Sequence, residues 1–413
     1  MRYVFCKFCV ALASMAIVLL ASCSSGDDAV LQPSVDSVPK VVVPEDIPVS
    51  FSPKATDGAT RSPIPAGDLA TDAVFRVWAT KKITGSTTAE EAFINDNARN
   101  MVVYDASSGL WRTTGATYYW PDTPETLYDV SFFALYPATA PVTTDIATNK
   151  TISYTADSPI DGNTDVLYTM LTTSLTDMLA ANKIAVPLQL HHALTQVAFK
   201  GKTSDAFQAS GWTVTVGGIR VCNINSTGVL DLTTGISPWD PATVTPWTPT
   251  ATPTLTNYPL TMLDDDDDTT DGIVLTGDVQ PLTSTEVIPM LMPQALTPWN
   301  PDTHCIYTTD VSTKSATTGG YLAIDLKIYD STTDSYSIGD ENTFETIYVP
   351  FCVDPAADSP ETVVWHPGYR YTYTITFGSG YDSQGQRLDA RLIEVSVSIT
   401  PWDEVEPTNG IAA

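Results

Sequence analysis

The residues able to do chemistry are few and widely spaced. Cys23 ends the run "CVALASMAIVLLASC", follows small residues, and is followed at once by polar "SSGDD". Arg2 and Lys7 make a positive start, and the apolar run is too short and wrongly flanked for a membrane span. The order resembles a bacterial lipobox, in which signal peptidase cuts before the cysteine and its thiol is diacylated with fatty acids such as palmitate. A plain secretory signal with a chance cysteine is the simpler alternative. Each buried methylene of an acyl chain adds about 0.8 kcal/mol of membrane affinity, so the expectation is an outer-membrane lipid anchor on Cys23. Cleavage there leaves Cys222, Cys305 and Cys352, an odd and scattered set that makes neither a disulfide framework nor a metal-binding pair and reads as small buried hydrophobes.

The other reactive types make no convincing centre. His191 and His192 are adjacent, so in a strand they face opposite ways and chelate poorly together. His304-Cys305 has the same defect, and His366 precedes the turn pair Pro367-Gly368. Asp267, Thr269, Asp271, Gly272 and Asp278 imitate a calcium loop, but Thr269 and Asp278 depart from its ligand pattern and no flanking helices are indicated, so a solvated acidic loop is the default. No nucleophile elbow, P-loop or dinucleotide fingerprint occurs, and no acidic pair stands out as a glycosidase pair. The sequence therefore predicts no catalytic residue, no metal and no cofactor. Trp111, Trp120, Trp239, Trp247 and Trp299 are candidate stacking platforms for glycans, though most read as core or turn residues.

The elements that hold these residues are strands. The chain has 413 residues, enough for two or more domains. It carries 48 acidic and 20 basic residues, a net charge of −28. Losing residues 1–22 removes two positive charges and no negative one, so −28 becomes −30. Such a surface repels nucleic acid and anionic membrane. Hydrophobic content of 43% argues against disorder. "AVFRVWAT" alternates Val74, Arg76 and Trp78 against Phe75 and Val77. "NMVVYDASSGLWRT" reads as a hairpin, "TDVLYTMLTTSL" as strand or loop, and "MLAANKIAVPLQLHHALTQVAFK" as a segment broken at Pro187 that resumes as a strand. "RYTYTITF" is nearly strict period-two alternation. Many short strands with turns between them predict an all-β protein of sandwich type. Residues 24 to about 60 hold five prolines between Pro33 and Pro53 and read as extended chain with one strand at "IPVSF". Residues 237–272, Pro/Thr-rich and ending in aspartates, read as an extended surface insertion.

Several stretches together resemble the fimbrillin, or Mfa-like, family of type V pilins: the lipoprotein signal, "VSFSPKATDGATRSP", "FRVWAT", "YYWPDTPETLYDVSFFALYP", "LQLHHALTQVAFK", "WHPGYRYTYTITF" and "VSVSITPWDE". The resemblance implies two tandem transthyretin-like β-sandwiches after a lipoprotein signal and pro-segment. It implies export to the outer membrane and cell surface, trimming after an arginine by a trypsin-like or arginine-specific surface protease, and loss of the first strand. The opened groove then takes a strand from another pilin subunit. On that scheme the chain divides into residues 1–22, the signal; 23–61, the pro-segment; 62–183, an N-terminal sandwich; and 184–413, a C-terminal sandwich.

The residues suit the scheme. Arg61 and Ser62 lie in a segment with Gly58 and flanking prolines, where proteolysis finds pliable chain; an ordinary linker arginine is the alternative. Val49 and Phe51 share one side of "PVSF" and would plug an apolar groove. Losing them would expose unpaired backbone at an edge that another strand relieves. In "RLIEVSVSITPWDEV", Ile393, Val395, Val397 and Ile399 share one face. They suit a donor strand and equally a last strand of the chain's own sandwich. The function expected is a fimbrial subunit supporting adhesion, with a non-polymerising, glycan-binding surface lipoprotein as the alternative.

Overall fold

The computed structural model describes residues 46–55, 67–140, 142–146, 149–156, 164–234, 247–249, 255–263, 272–283, 288–296, 320–351, 364–378 and 393–401. All fall within one compact unit, Val43–Ala413. The described residues are overwhelmingly strands, so the protein is all-β. Their two α-helices are single turns, Leu175–Ala180 and Asp205–Ala209, capped by the Ser174 and Ser204 hydroxyls.

The first core is enclosed by a sheet that returns to its own beginning. Strand Val186–His192 pairs with Leu167–Ser174, which pairs with Tyr128–Tyr136, then Phe75–Ile83, Met101–Asp105 and Leu110–Thr113. The first strand, Phe51–Ala55, meets Leu110–Thr113 on one flank and pairs back to Val186–His192 on the other. The inward positions are apolar at every second residue, and Phe51, Phe75, Val77, Val102, Phe132, Leu167 and Leu188 are each 0% exposed.

This sheet is covered outside as well. Trp78 and Phe133, which alternate with the inward residues, belong with Leu135, Tyr168, Ile152 and Tyr154 to a second buried cluster. That explains why the Phe75–Ile83 strand buries Trp78 beside Phe75 and Val77 instead of showing one wet face. Ile152 and Tyr154 lie on strand Thr151–Thr155, whose partner Thr227–Asp231 comes from the second half of the chain. The second cluster is completed by two further sheets. One is built on Trp212–Asn225 and Tyr321–Asp330; the other runs Thr195–Thr203, Tyr369–Phe377, Ile393–Pro401. Trp212–Asn225 bulges at Gly217, where a Cβ would stand 2.7 Å from the Phe344 ring.

Several expectations change. Pro187 does not break a strand; it lies inside Val186–His192. The segment 167–174 is strand, followed directly by the first helical turn. The boundary expected between 183 and 184 would cut Val186–His192 away from the sheet that it completes. Val186, Leu188 and Leu190 are buried in the first core, and the chain leaves that sheet only between His192 and Thr195. Part of the 237–272 segment is not a surface insertion. Leu255–Pro259 pairs with Trp212–Asn225 and sends Tyr258, 0% exposed, into the second core. The strand expected at "IPVSF" begins at Phe51, although Pro48 bridges to Tyr119.

Candidate functional site: the seam closed by the first strand

Residues 47–55 fill a seam between two parts of the first sheet. On one flank Val186 N–H donates to the Ser50 carbonyl at 2.8 Å, and the pairing continues in parallel from Phe51↔Val186 to Ala55↔Leu190. On the other, Val49 N–H donates to the Tyr118 carbonyl at 2.8 Å, Trp120 N–H donates to the Ile47 carbonyl at 3.0 Å, and Phe51 lies opposite Trp111. The segment thus has ladders on both sides, as a central strand does.

Two prolines fit this arrangement because of phase. The bond from Val186 to Ser50 sets even-numbered residues of both strands toward each other. Pro53 and Pro187 are odd-numbered, so each turns its missing N–H away from the shared ladder. The same alternation sends Val49, Phe51, Pro53 and Ala55 inward, all buried. Phe51 is the anchor. Its ring lies edge-on to Phe75 at 6.2 Å and to Phe132 at 5.8 Å between centroids. Trp120 packs on Phe132 at 5.8 Å. Ser50 is 2% exposed, and its hydroxyl donates to the Ile184 carbonyl at 2.8 Å. That bond was not legible in the sequence, because its acceptor is 134 residues away. Outside, Lys54 and Asp68 form an exposed ion pair at 3.4 Å, a contact that contributes little.

The seam strand is joined to the next element by residues 56–66. Their ends are held side by side, since Ala55 pairs with Gly67 and Lys54 with Asp68. Arg61 and Ser62 belong to that connection and lie outside the described residues, as do Cys23, Asp267, Thr269, Asp271, His304, Cys305, Cys352, Trp239 and Trp299. Strand Ile393–Pro401, the donor candidate, is paired antiparallel with Tyr369–Phe377 of its own chain over its whole length, from Phe377↔Ile393 to Tyr369↔Pro401. Ile393, Val395, Val397 and Ile399 thus occupy a native strand. Among the described residues it has this one hydrogen-bonded neighbour.

Other reactive groups are built into the scaffold. His192 Nδ1 lies 3.0 Å from Asp165 Oδ2, with both side chains buried. His366 is buried, and burial lowers its pKa below the usual histidine value. Cys222 is 2% exposed, and burial pushes its thiol up to about 11, which leaves it poorly nucleophilic. Among the described residues no three His, Cys, Asp or Glu side chains converge on a possible metal position. Trp111 and Trp120 are 7% and 8% exposed and pack on core aromatics, so neither offers a face to a sugar.

The chain is similar to known proteins. The fimbrillin-like family matches residues 60–402. A fimbrial protein from Bacteroides vulgatus has a similar fold, with a TM-score of 0.53 at 13% identity, covering 86% of this chain and 99% of that one. A fimbrilin from Porphyromonas gingivalis aligns at 12% identity and a TM-score of 0.42, covering 88% and 99%. The tip fimbrial protein Mfa3 from the same organism aligns at 14% and 0.40, covering 86% and 100%. No curated protein sequence matches the chain. The family match begins at residue 60, beyond the seam strand and one residue before Arg61.

Proposed function

The chain belongs to the fimbrillin-like family, and from that premise we propose that it is a fimbrial subunit polymerised by strand replacement at the seam. The precursor is exported as a lipoprotein carried on Cys23 and anchored in the outer membrane. An arginine-specific or trypsin-like protease cuts between Arg61 and Ser62. Residues up to Arg61, including Val49 and Phe51, then leave the seam, and a strand of another subunit takes their place. The C-terminal strand with Ile393, Val395, Val397 and Ile399 supplies it. The work is adhesive, at the cell surface, and no residue is assigned a catalytic role. Two sandwich bodies carry the function, the first closed by the replaceable strand and the second bearing the donor.

The observation that supports this reading is the closure of the first sheet by Phe51–Ala55, a segment joined to the rest of that sheet only through residues 56–66. One cut there leaves the plug held by non-covalent contacts alone. An empty seam would expose the Phe75 and Phe132 rings and two rows of unpaired backbone groups, which a new strand covers.

The test is the N-terminal sequence of assembled fibres and the behaviour of Arg61→Ala. Fibres from the unsubstituted chain should begin at Ser62, and Arg61→Ala should accumulate as unassembled, lipid-bearing precursor. Fibres whose subunits all retain Cys23 would overturn the proposal.

A further inference from the structure

Resting on that strand-replacement reading, we propose that the incoming strand is residues 397–401 of a second copy of this same chain, seated in register with residues 49–53. The partner is then the chain itself, and the pro-segment strand is an internal copy of the chain's own last strand. The observation is a pair of pentads. The seam holds Val49-Ser50-Phe51-Ser52-Pro53, and the last strand ends in Val397-Ser398-Ile399-Thr400-Pro401. Three positions are identical, one exchanges serine for threonine, and one exchanges one large apolar residue for another.

Each shared position has a physical task in the seam. The first and third point into the first core, where Val49 is 4% and Phe51 0% exposed. The second carries the hydroxyl that meets the Ile184 carbonyl in a site that is 2% exposed at Ser50. A side chain without a hydroxyl there forfeits that buried bond. The fifth is proline, buried, with its absent N–H turned away from Val186–His192. Any other residue would bring a donor into a flank built without one.

Neighbouring registers fit worse. A slip of one residue turns the apolar set outward. A shift of two, with Val395 on Val49, places Val397 in the hole left by Phe51 and Ile399 on Pro53. That leaves a larger void at the aromatic site and adds an N–H at the proline site. The proposed register also continues upstream. Val395 falls on Ile47, which is half-buried and packs on the same core.

The seam offers the donor hydrogen-bonding partners on two flanks. In its own chain Ile393–Pro401 has one hydrogen-bonded neighbour among the described residues. In the seam a strand has Val186–His192 on one flank and Trp111 and Tyr118–Trp120 on the other. The donor therefore gives up its ladder with Tyr369–Phe377 for a place with partners on both flanks.

Register can be read by cross-linking. Continuing the pairing Phe51↔Val186 by one residue sets Ser50 opposite Ala185. The proposal thus puts Ser398 of one copy opposite Ala185 of the next, within the separation a disulfide spans. The full chain carrying Ala185→Cys and Ser398→Cys is processed after Arg61, assembled under oxidation, and mapped by peptide mass spectrometry. The unsubstituted chain reports the background from native cysteines. The inter-chain link between positions 185 and 398 should exceed at least tenfold that between 185 and 396 in the Ala185→Cys, Ser396→Cys variant. A dominant 185–396 link, a link within one chain, or fibres with neither link would each overturn the proposal while leaving strand replacement standing. Failure of the processed, unsubstituted chain to form fibres would overturn strand replacement itself. If the cysteine variants do not assemble, growth rates decide. Ser398→Val should slow fibre growth about tenfold and Ser396→Val less than twofold, and equal effects would refute the register.

Discussion

Phe51 has a burden out of proportion to its size. It lies in a segment of nine residues, is 0% exposed, and touches two other aromatic rings edge-on. Truncating a buried phenylalanine costs about 3–5 kcal/mol, because transfer energy and a residual cavity add. Phe51→Ala in the unprocessed chain should therefore lower the melting midpoint of the first core by several degrees in calorimetry. Lys54→Ala, which removes only an exposed ion pair with Asp68, should leave that midpoint unchanged. A fall as large for Lys54→Ala would mean that the strand is held from outside. Asp122 makes a contrasting prediction. Its Oδ1 accepts from Tyr128 N–H at 2.9 Å, its Oδ2 is buried without a hydrogen bond, and burial raises its pKa. A raised carboxyl pKa means stability that is present below the ordinary carboxylate value of about 3.9 and lost as pH rises through the folded one. Asp122→Asn keeps the acceptor and removes the charge. Its melting curve should match the parent near pH 3 and move above it by pH 7. A lower midpoint at pH 7 would show that the carboxylate is needed in its charged form.

At the scale of elements, departure of the seam strand opens a closed sheet. Hydrogen exchange measures this directly. After cutting at Arg61 and release of the pro-segment, the amides of Trp120, Val186, Leu188 and Leu190 should lose protection, because their acceptors were the Ile47, Ser50, Ser52 and Lys54 carbonyls. Amides of Trp212–Asn225 and Tyr321–Asp330 should keep theirs, since that pair belongs to another sheet. Loss in both places would mean that the two cores open together. The same elements show what a sequence discloses and what it withholds. The alternation of Val49 and Phe51, the strictly patterned Tyr369–Phe377 and the 101–113 hairpin were legible, because period two and local turns are properties of neighbouring residues. Pro187 misled for a physical reason. Its missing N–H matters only on one flank, and which flank carries the parallel partner depends on a strand 135 residues earlier at Ser52. Trp78 and Tyr258 hid likewise. Each is buried with chain remote in sequence, Trp78 in the cluster that also holds Ile152 and Tyr154, and Tyr258 beside Ala156, to whose carbonyl its hydroxyl donates at 3.3 Å. The closing pair Phe51↔Val186 has no local signature at all, so the ring was out of reach even though its plug was not.

At the scale of the molecule, the dominant quantity is charge. Residues 23–61 carry six acidic and three basic side chains, so the −30 left after signal removal becomes −27 once Arg61 is cut. Subunits that carry this charge must approach one another to exchange a strand whose seam contacts are apolar and backbone in kind. The repulsion acts on encounter and not on the seated strand, because screening reaches surface charges while the buried contacts of Phe51 or its replacement are out of reach of salt. Raising ionic strength from 0.01 to 0.15 M shortens the Debye length from about 30 to about 8 Å. Fibre growth from processed subunits should then accelerate on the order of tenfold. Release of the pro-segment, a step within one molecule, should change little over the same range. Light scattering gives the first rate, and exchange of the Val186, Leu188 and Leu190 amides gives the second. If growth slows as salt rises, a local patch of complementary charge must be steering the subunits against their net repulsion, and encounter would be directed by surface ion pairs instead of merely permitted by screening.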